Sequence, residues 1–192
     1  DQKEAFKALR AFPEGLMVGG GITADNAKEF IDAGASHVIV TSYVFSNGQI
    51  LYDNLEKLVK AVGSHHVCLD LSCKKKADGY YVATNRWQNL TDIKVDHSLL
   101  DKLSSYASEF LIHAVDVEGK QNGIEESLAS LLGSWNKLPI TYAGGVKDME
   151  DLKRLHTLSN NFLNVTVGSA LDLFGGNLNF DSVCDFCAQT LE

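Results

Sequence analysis

One unit occurs twice in this chain, and the repeat constrains its fold more than any other feature. In "LMVGGGITADNAKEF" an apolar strand is followed by glycines, an aliphatic residue and a helix opened by Thr23. In "ITYAGGVKDMEDLKRL" the same order returns with Asp148 at the helix start, and Gly21 and Gly145 stand 124 positions apart. Downstream of each copy a further strand ends in a small hydroxyl turn, "VIVTS" and then "VTVGSALDLFGG", with Ser42 and Ser169 separated by 127 positions. Self-similarity at a fixed spacing marks a fold built from two related halves.

The local patterns of each copy predict a βαβ unit. Leu16 to Val18 and His37 to Val40 are short apolar runs bounded by Gly or Thr-Ser, as in buried parallel strands. Between them Ala27, Phe30 and Ile31 share one helical face, with Thr23 as N-cap and Gly34 just past the C-terminus. Glycines between a strand and a helix serve a tight turn, or let backbone N–H groups approach an anion where the helix N-terminus favours negative charge. Gly19, Gly21 and Ala24 match the dinucleotide fingerprint on paper. That fingerprint requires an acidic residue at the end of the next strand, and this strand ends in Thr41 and Ser42.

Strand-like runs continue at His66 to Leu71, Phe110 to Ala114, Pro139 to Ala143 and Leu163 to Val167. Amphipathic segments near 96–107, 124–135 and 148–158 separate the later strands. This alternation predicts six parallel βα units. Two matched anion cradles at strand C-termini, the second followed by a short helix over Ser169 to Leu173, point to a (β/α)₈ barrel whose active face lies at those ends. The expected ligand carries two phosphates, one for each cradle.

The chain of 192 residues, 45% hydrophobic with two prolines, is long enough for a core of its own and is expected to be one domain over 1–192. A net charge of −8 argues against a nucleic-acid surface, and the basic run Lys74 to Lys76 reads as a solvated hairpin. No apolar stretch has the length of a membrane span and no charged-then-apolar leader opens the chain, so a cytoplasmic location is the expectation; a monomer is expected as well. Cys184 and Cys187 form a C-x-x-C pair in a final helix, while Cys68 and Cys73 have the wrong spacing for a second zinc pair. Reduced structural thiols and no metal are therefore expected, and His65-His66 reads as a loop.

Chemistry is expected between the cradles. Asp70 stands inside an apolar strand, where a carboxylate is costly unless it is paired or functional. The Asp78-Gly79 turn returns the chain over the strand ends as a hairpin, which brings Trp87 to the mouth as a stacking lid or a packing residue. The next strand, "EFLIHAVDVEG", ends in His113, Asp116 and Glu118, which form a site wall unless Asp116 and Glu118 simply face solvent.

The motifs "VGGGI", "DAGASHVIVTS", "LDLSCKKKADGYYVATNRWQ", "FLIHAVDVEG", "TYAGGV" and "VGSALDLFGGNL" are spread over nearly the whole chain. Through them it resembles the eukaryotic-type phosphoribosylformimino-5-aminoimidazole carboxamide ribotide isomerases of histidine biosynthesis. The resemblance implies an Amadori rearrangement of a ligand with a phosphate on each of two riboses, with no cofactor because the substrate nitrogen is the electron sink. It makes Asp70 the general acid and Trp87 the residue stacked on the heterocycle. Gly20, Gly21, Thr41 and Ser42 would hold one phosphate, and Gly144, Gly145, Gly168 and Ser169 the other. His113 matches a position near the substrate, followed by Ala114 where bacterial relatives carry Thr. Alternatives are the related cyclase barrel of imidazole glycerol phosphate synthesis, which works with an ammonia-producing partner, and a non-catalytic phosphate-binding fragment.

The opening "DQKEAFKALRAFPEG" reads as a helix leading into a strand, so the chain is expected to begin inside a barrel and to lack its first two βα units. The repeat spacing puts the shortfall at roughly 60 residues, for about 250 in all. The family's general base, an aspartate related to Asp70 by half-barrel symmetry, is expected in that part.

Overall fold

The computed structural model describes residues 2–84, 86–120 and 122–190. Its centre is a six-stranded parallel sheet of β1 (Met17–Gly19), β2 (His37–Val40), β5 (Val67–Asp70), β9 (Glu109–His113), β10 (Ile140–Ala143) and β11 (Asn164–Thr166). The strands lie side by side in the order in which the chain makes them. A doubly wound sheet reverses its strand order at a switch point. Without a reversal, right-handed crossovers put every connecting helix on the same face, the winding of a barrel wall.

The helices follow that rule. α1 (Gln2–Ala11) stacks Phe6 on Phe30 of α2 (Ala27–Asp32), with the ring centres 5.1 Å apart. α2 packs on α3 (Tyr52–Val62), and α5 (Glu126–Trp135) packs on α6 (Met149–Leu158). In β9, Phe110 and Ile112 are fully buried against this helical layer, whereas Glu109, Leu111 and His113 are partly open on the inner face. The period-2 alternation of the strand thus divides core from site.

Side-chain caps open several helices. Asp148 accepts a hydrogen bond from Asp151 N at 3.0 Å to open α6, as expected, and Asp96 does the same for Leu99 N at 2.8 Å to open α4 (His97–Leu103). Thr23 is not a cap. Its N–H donates to Asn26 Oδ1 at 2.8 Å while Asn26 Nδ2 donates to Gly21 O at 2.9 Å, so Asn26 ties up the glycine loop and α2 starts three residues later than expected. The helix expected over Ser169 to Leu173 is instead a 3₁₀ turn over Asp172–Phe174, because Asp172 Oδ1 and Oδ2 are engaged by Phe180 N and Asn179 Nδ2.

His65 and His66 belong to a second 3₁₀ turn, not a plain loop. His66 Nδ1 bonds Ser36 O at 2.8 Å and so ties β5 to the start of β2. Beyond β5 the expected hairpin is a three-stranded antiparallel meander, β6 (Cys73–Lys76), β7 (Gly79–Thr84) and β8 (Asn89–Lys94). A second small hairpin, β3 (Phe45–Ser46) with β4 (Gln49–Ile50), turns through Asn47-Gly48 with φ of 51° and 75°. Asn-Gly is the commonest two-residue hairpin signal, so this element was also open to sequence reading.

α7 (Phe180–Gln189) carries Cys184 and Cys187, and all four cysteines are free thiols. Cys68 and Cys73 are buried, and burial pushes the Cys73 thiol up to about 12, so it packs as an inert hydrophobe. Among the described residues no helix is long and apolar enough to cross a membrane, and no group of three or more His, Cys, Asp or Glu side chains converges as a metal site.

Candidate active site

Strand register explains how the candidate residues meet. Ile39 of β2 pairs with Cys68 of β5, and Asp70 pairs with Leu111 of β9. Two residues past Ile39 and level with Asp70 comes Thr41; two past Leu111 on the same face comes His113. Accordingly His113 Nδ1 lies 3.1 Å from Asp70 Oδ1, and Thr41 Oγ1 points at Asp70 Oδ2 with a long 3.4 Å contact. Ser72 Oγ donates to Asp70 Oδ1 at 3.1 Å. Ser72 was not among the candidates, although its place two residues past Asp70 on one strand face was a usable signal.

The Asp70 and His113 side chains retain 14% and 23% of their exposure, enough for a ligand to reach and too little for water to screen them fully. Burial is the largest single influence on His113 and disfavours the imidazolium. The hydrogen bond to Asp70 and the charges of Asp70 and Glu118 together outweigh it, so His113 stays protonated above its ordinary value.

The two glycine cradles flank this pair. A cavity of about 420 Å³ is lined by Gly20, Gly21, Thr41, Ser42 and Asp70, with Arg86 and Trp87 across its mouth. A second, of about 140 Å³, is lined by Gly144, Gly145, Gly168, Ser169, His113 and Glu118. The repeat holds in register as well as in sequence. Gly19 pairs with Ile39 and Ala143 with Thr166, so two residues on, Gly21 is level with Thr41 and Gly145 with Gly168.

The glycines serve different purposes in the two cradles. A Cβ on Gly20 or Gly21 would meet nothing within 4 Å, but their φ of 105° and 66° is a conformation that side chains resist. A Cβ on Gly145 would sit 2.1 Å from Gly123 O, so there the backbone approach itself excludes a side chain.

Trp87 is 38% exposed, and its ring centre lies 6.4 Å from that of His113. Arg86 and Trp87 are both left-handed, at φ 52° and 68°, a strain of about 1–3 kcal/mol each that usually marks function. The stem beneath them is fixed. Tyr80 OH donates to Glu125 Oε2 at 2.7 Å, Lys75 N donates to Asp116 Oδ2 at 2.9 Å and Thr91 Oγ1 donates to Val82 O at 2.7 Å. Asp116 is therefore a hairpin anchor, while Glu118 faces the second cavity, its Oε2 enclosed and without a hydrogen-bond partner. Arg86, like Ser72, escaped sequence reading, since an isolated arginine in a polar loop carries no pattern.

Comparison with known proteins identifies the family. Residues 3–178 match the protein family described as "Histidine biosynthesis protein". A Medicago truncatula protein named 1-(5-phosphoribosyl)-5-((5-phosphoribosylamino)methylideneamino) imidazole-4-carboxamide isomerase, chloroplastic, is 52% identical over 179 residues, 93% of this chain. Isomerases with the same chemical name from Neurospora crassa and Saccharomyces cerevisiae are each 45% identical, over 92% and 94% of this chain. The chain spans 57% of the Medicago relative's length and 70% and 71% of the two fungal ones.

Proposed function

The chain belongs to the histidine biosynthesis protein family, and from that premise we propose that it carries the phosphate cradles and the acid of an aldose–ketose isomerase. The six parallel strands are taken as six of the eight of a (β/α)₈ barrel, with the site at their C-terminal ends. The observation that carries the reading is the pair of glycine cradles, alike in register, on either side of the Asp70–His113 contact. One rigid frame with an anion cradle at each end of an acid suits a ligand with two terminal phosphates and its reacting ribose in between.

In this reading Gly20, Gly21, Thr41 and Ser42 bind one phosphate and Gly144, Gly145, Gly168 and Ser169 the other, largely through backbone N–H groups. An anion in the second cradle requires Glu118 to turn aside, since like charges in so small a cavity repel. Asp70 gives a proton to the furanose ring oxygen and the C1–O bond opens to an iminium ion. Loss of the C2 proton then forms an enolamine, which becomes the ketone. This reading assigns the C2 base to none of the described residues. No cofactor takes part, because the substrate nitrogen accepts the electron pair.

The reading is tested by supplying the bis-phosphorylated aminoimidazole carboxamide ribotide to the protein carrying this chain, without ammonia. Ketose formation is expected. No turnover of the aldose, but conversion of the corresponding ketose to imidazole glycerol phosphate when ammonia is added, would favour the cyclase; binding without either reaction would leave a phosphate-binding fragment.

Trp87 is expected to close over the heterocycle by re-aiming the loop tip on its fixed stem. Its fluorescence should change on ligand binding, and the change should vanish in Trp87→Phe, since Trp135 is buried with Nε1 bonded to Asp101. An unchanged Trp87 signal with ligand bound would make it a packing residue.

A further inference from the structure

We infer that His113 is a proton store for Asp70, a positioning residue through which the acid is recharged at the moment it acts. Three observations converge on it. His113 Nδ1 is 3.1 Å from Asp70 Oδ1, which is also held by Ser72 Oγ, so this oxygen is turned towards the imidazole while Oδ2 lies on the Thr41 side, towards the larger cavity. Both side chains are mostly enclosed, so a proton moves between them more readily than to bulk water. Trp87 stands beside the imidazole and covers the pair from the mouth.

Charges facing His113 come from two of the neighbouring elements. Asp70 lies on β5 and Glu118 follows β9; β10 contributes only Ala143 and the glycines after it. The β7–β8 loop brings the uncharged Trp87 ring, preceded by Arg86 in the larger cavity. Two carboxylates thus stabilise the imidazolium, and burial alone opposes it.

The step balances. The His113 Nδ1–H bond breaks, its electron pair stays on nitrogen, and the proton passes to the Asp70 carboxylate. The carboxyl gives that proton to the ring oxygen as the C1–O bond breaks and its electron pair goes to oxygen. Asp70 ends ionised, His113 neutral and the opened substrate an iminium ion. A carboxylate paired with an imidazolium can in this way serve as an acid at neutral pH, the condition general-acid catalysis requires.

The inference rests on the isomerase reading, and the two fail separately. His113→Asn keeps an N–H donor near the Nδ1 position and cannot carry the proton. In the protein carrying this chain it should lower kcat by about 10²-fold or more while changing KM little. Wild-type kcat/KM should fall as pH rises through the His113 value, above about 6.5, and this limb should vanish in the variant. Without substrate, the His113 imidazole followed by NMR should titrate above about 6.5 and drop back in Asp70→Asn. Wild-type inactivity would sink the isomerase reading alone. An active wild type with His113→Asn within about threefold of it and the same pH limb, or a His113 titration indifferent to Asp70→Asn, would overturn the proton store.

Discussion

Asp70→Asn is expected to lower isomerase turnover by about 10²–10⁴-fold with KM nearly unchanged. The amide has the volume of the carboxyl and can still accept from Ser72 Oγ, which now lies 3.1 Å from Oδ1, so binding and local geometry should survive. What disappears is the proton carrier. Asparagine can neither receive a proton from His113 nor release one to the ring oxygen. The measurement is steady-state kinetics of the protein carrying this chain, with melting temperature as the control. Ordinary turnover by the variant would remove Asp70 from the chemistry, and a large rise in KM at constant kcat would make it a binding residue instead.

The second large effect is expected at Gly145, and it is one of stability. Alanine there would put Cβ 2.1 Å from Gly123 O and 2.9 Å from Val117 Cβ, at a φ of 79°. It would also disturb the bond from Gly123 N to Gly145 O, now 3.0 Å. Overpacking of about 1–3 kcal/mol and a left-handed side chain of about 1–2 kcal/mol should lower the melting temperature by roughly 5–15 °C for a chain of this size. Gly21→Ala meets open space and carries only the conformational cost of about 1–2 kcal/mol. It should therefore fold and show its defect as weaker binding of inorganic phosphate. Equal melting temperatures for the two variants would contradict the close approach at Gly145. Unchanged phosphate affinity in Gly21→Ala would reduce the first cradle to a turn.

These two predictions differ because one motif does two jobs. In the first copy the glycines are needed for backbone conformation alone; in the second the loop after β9 is drawn in until Gly123 and Val117 touch the turn. The pair "GG" reads the same in both places. Only the path of a loop more than twenty residues upstream separates them.

Patterns within a few residues of each other were sufficient for much of the molecule. Short apolar runs bounded by turn residues specified the six strands, Asp148 announced its helix, and paired glycines after β1 and β10 marked the cradles. Each follows from backbone geometry that neighbouring residues enforce. The start of α2 was misread because Thr23 is as good a cap as Asn26 on paper, and only the bonds of Asn26 to Gly21 and Thr23 decide between them. Likewise Asp172 draws the 3₁₀ turn away from Ser169 through partners seven and eight residues on. The pairing of Asp70 with His113, 43 positions apart, and the anchoring of the Trp87 stem through Tyr80 and Glu125, 45 apart, were decided by tertiary structure alone. Side chains on different strands meet according to register and sheet curvature, and these are set by the packing of all six strands against their helices.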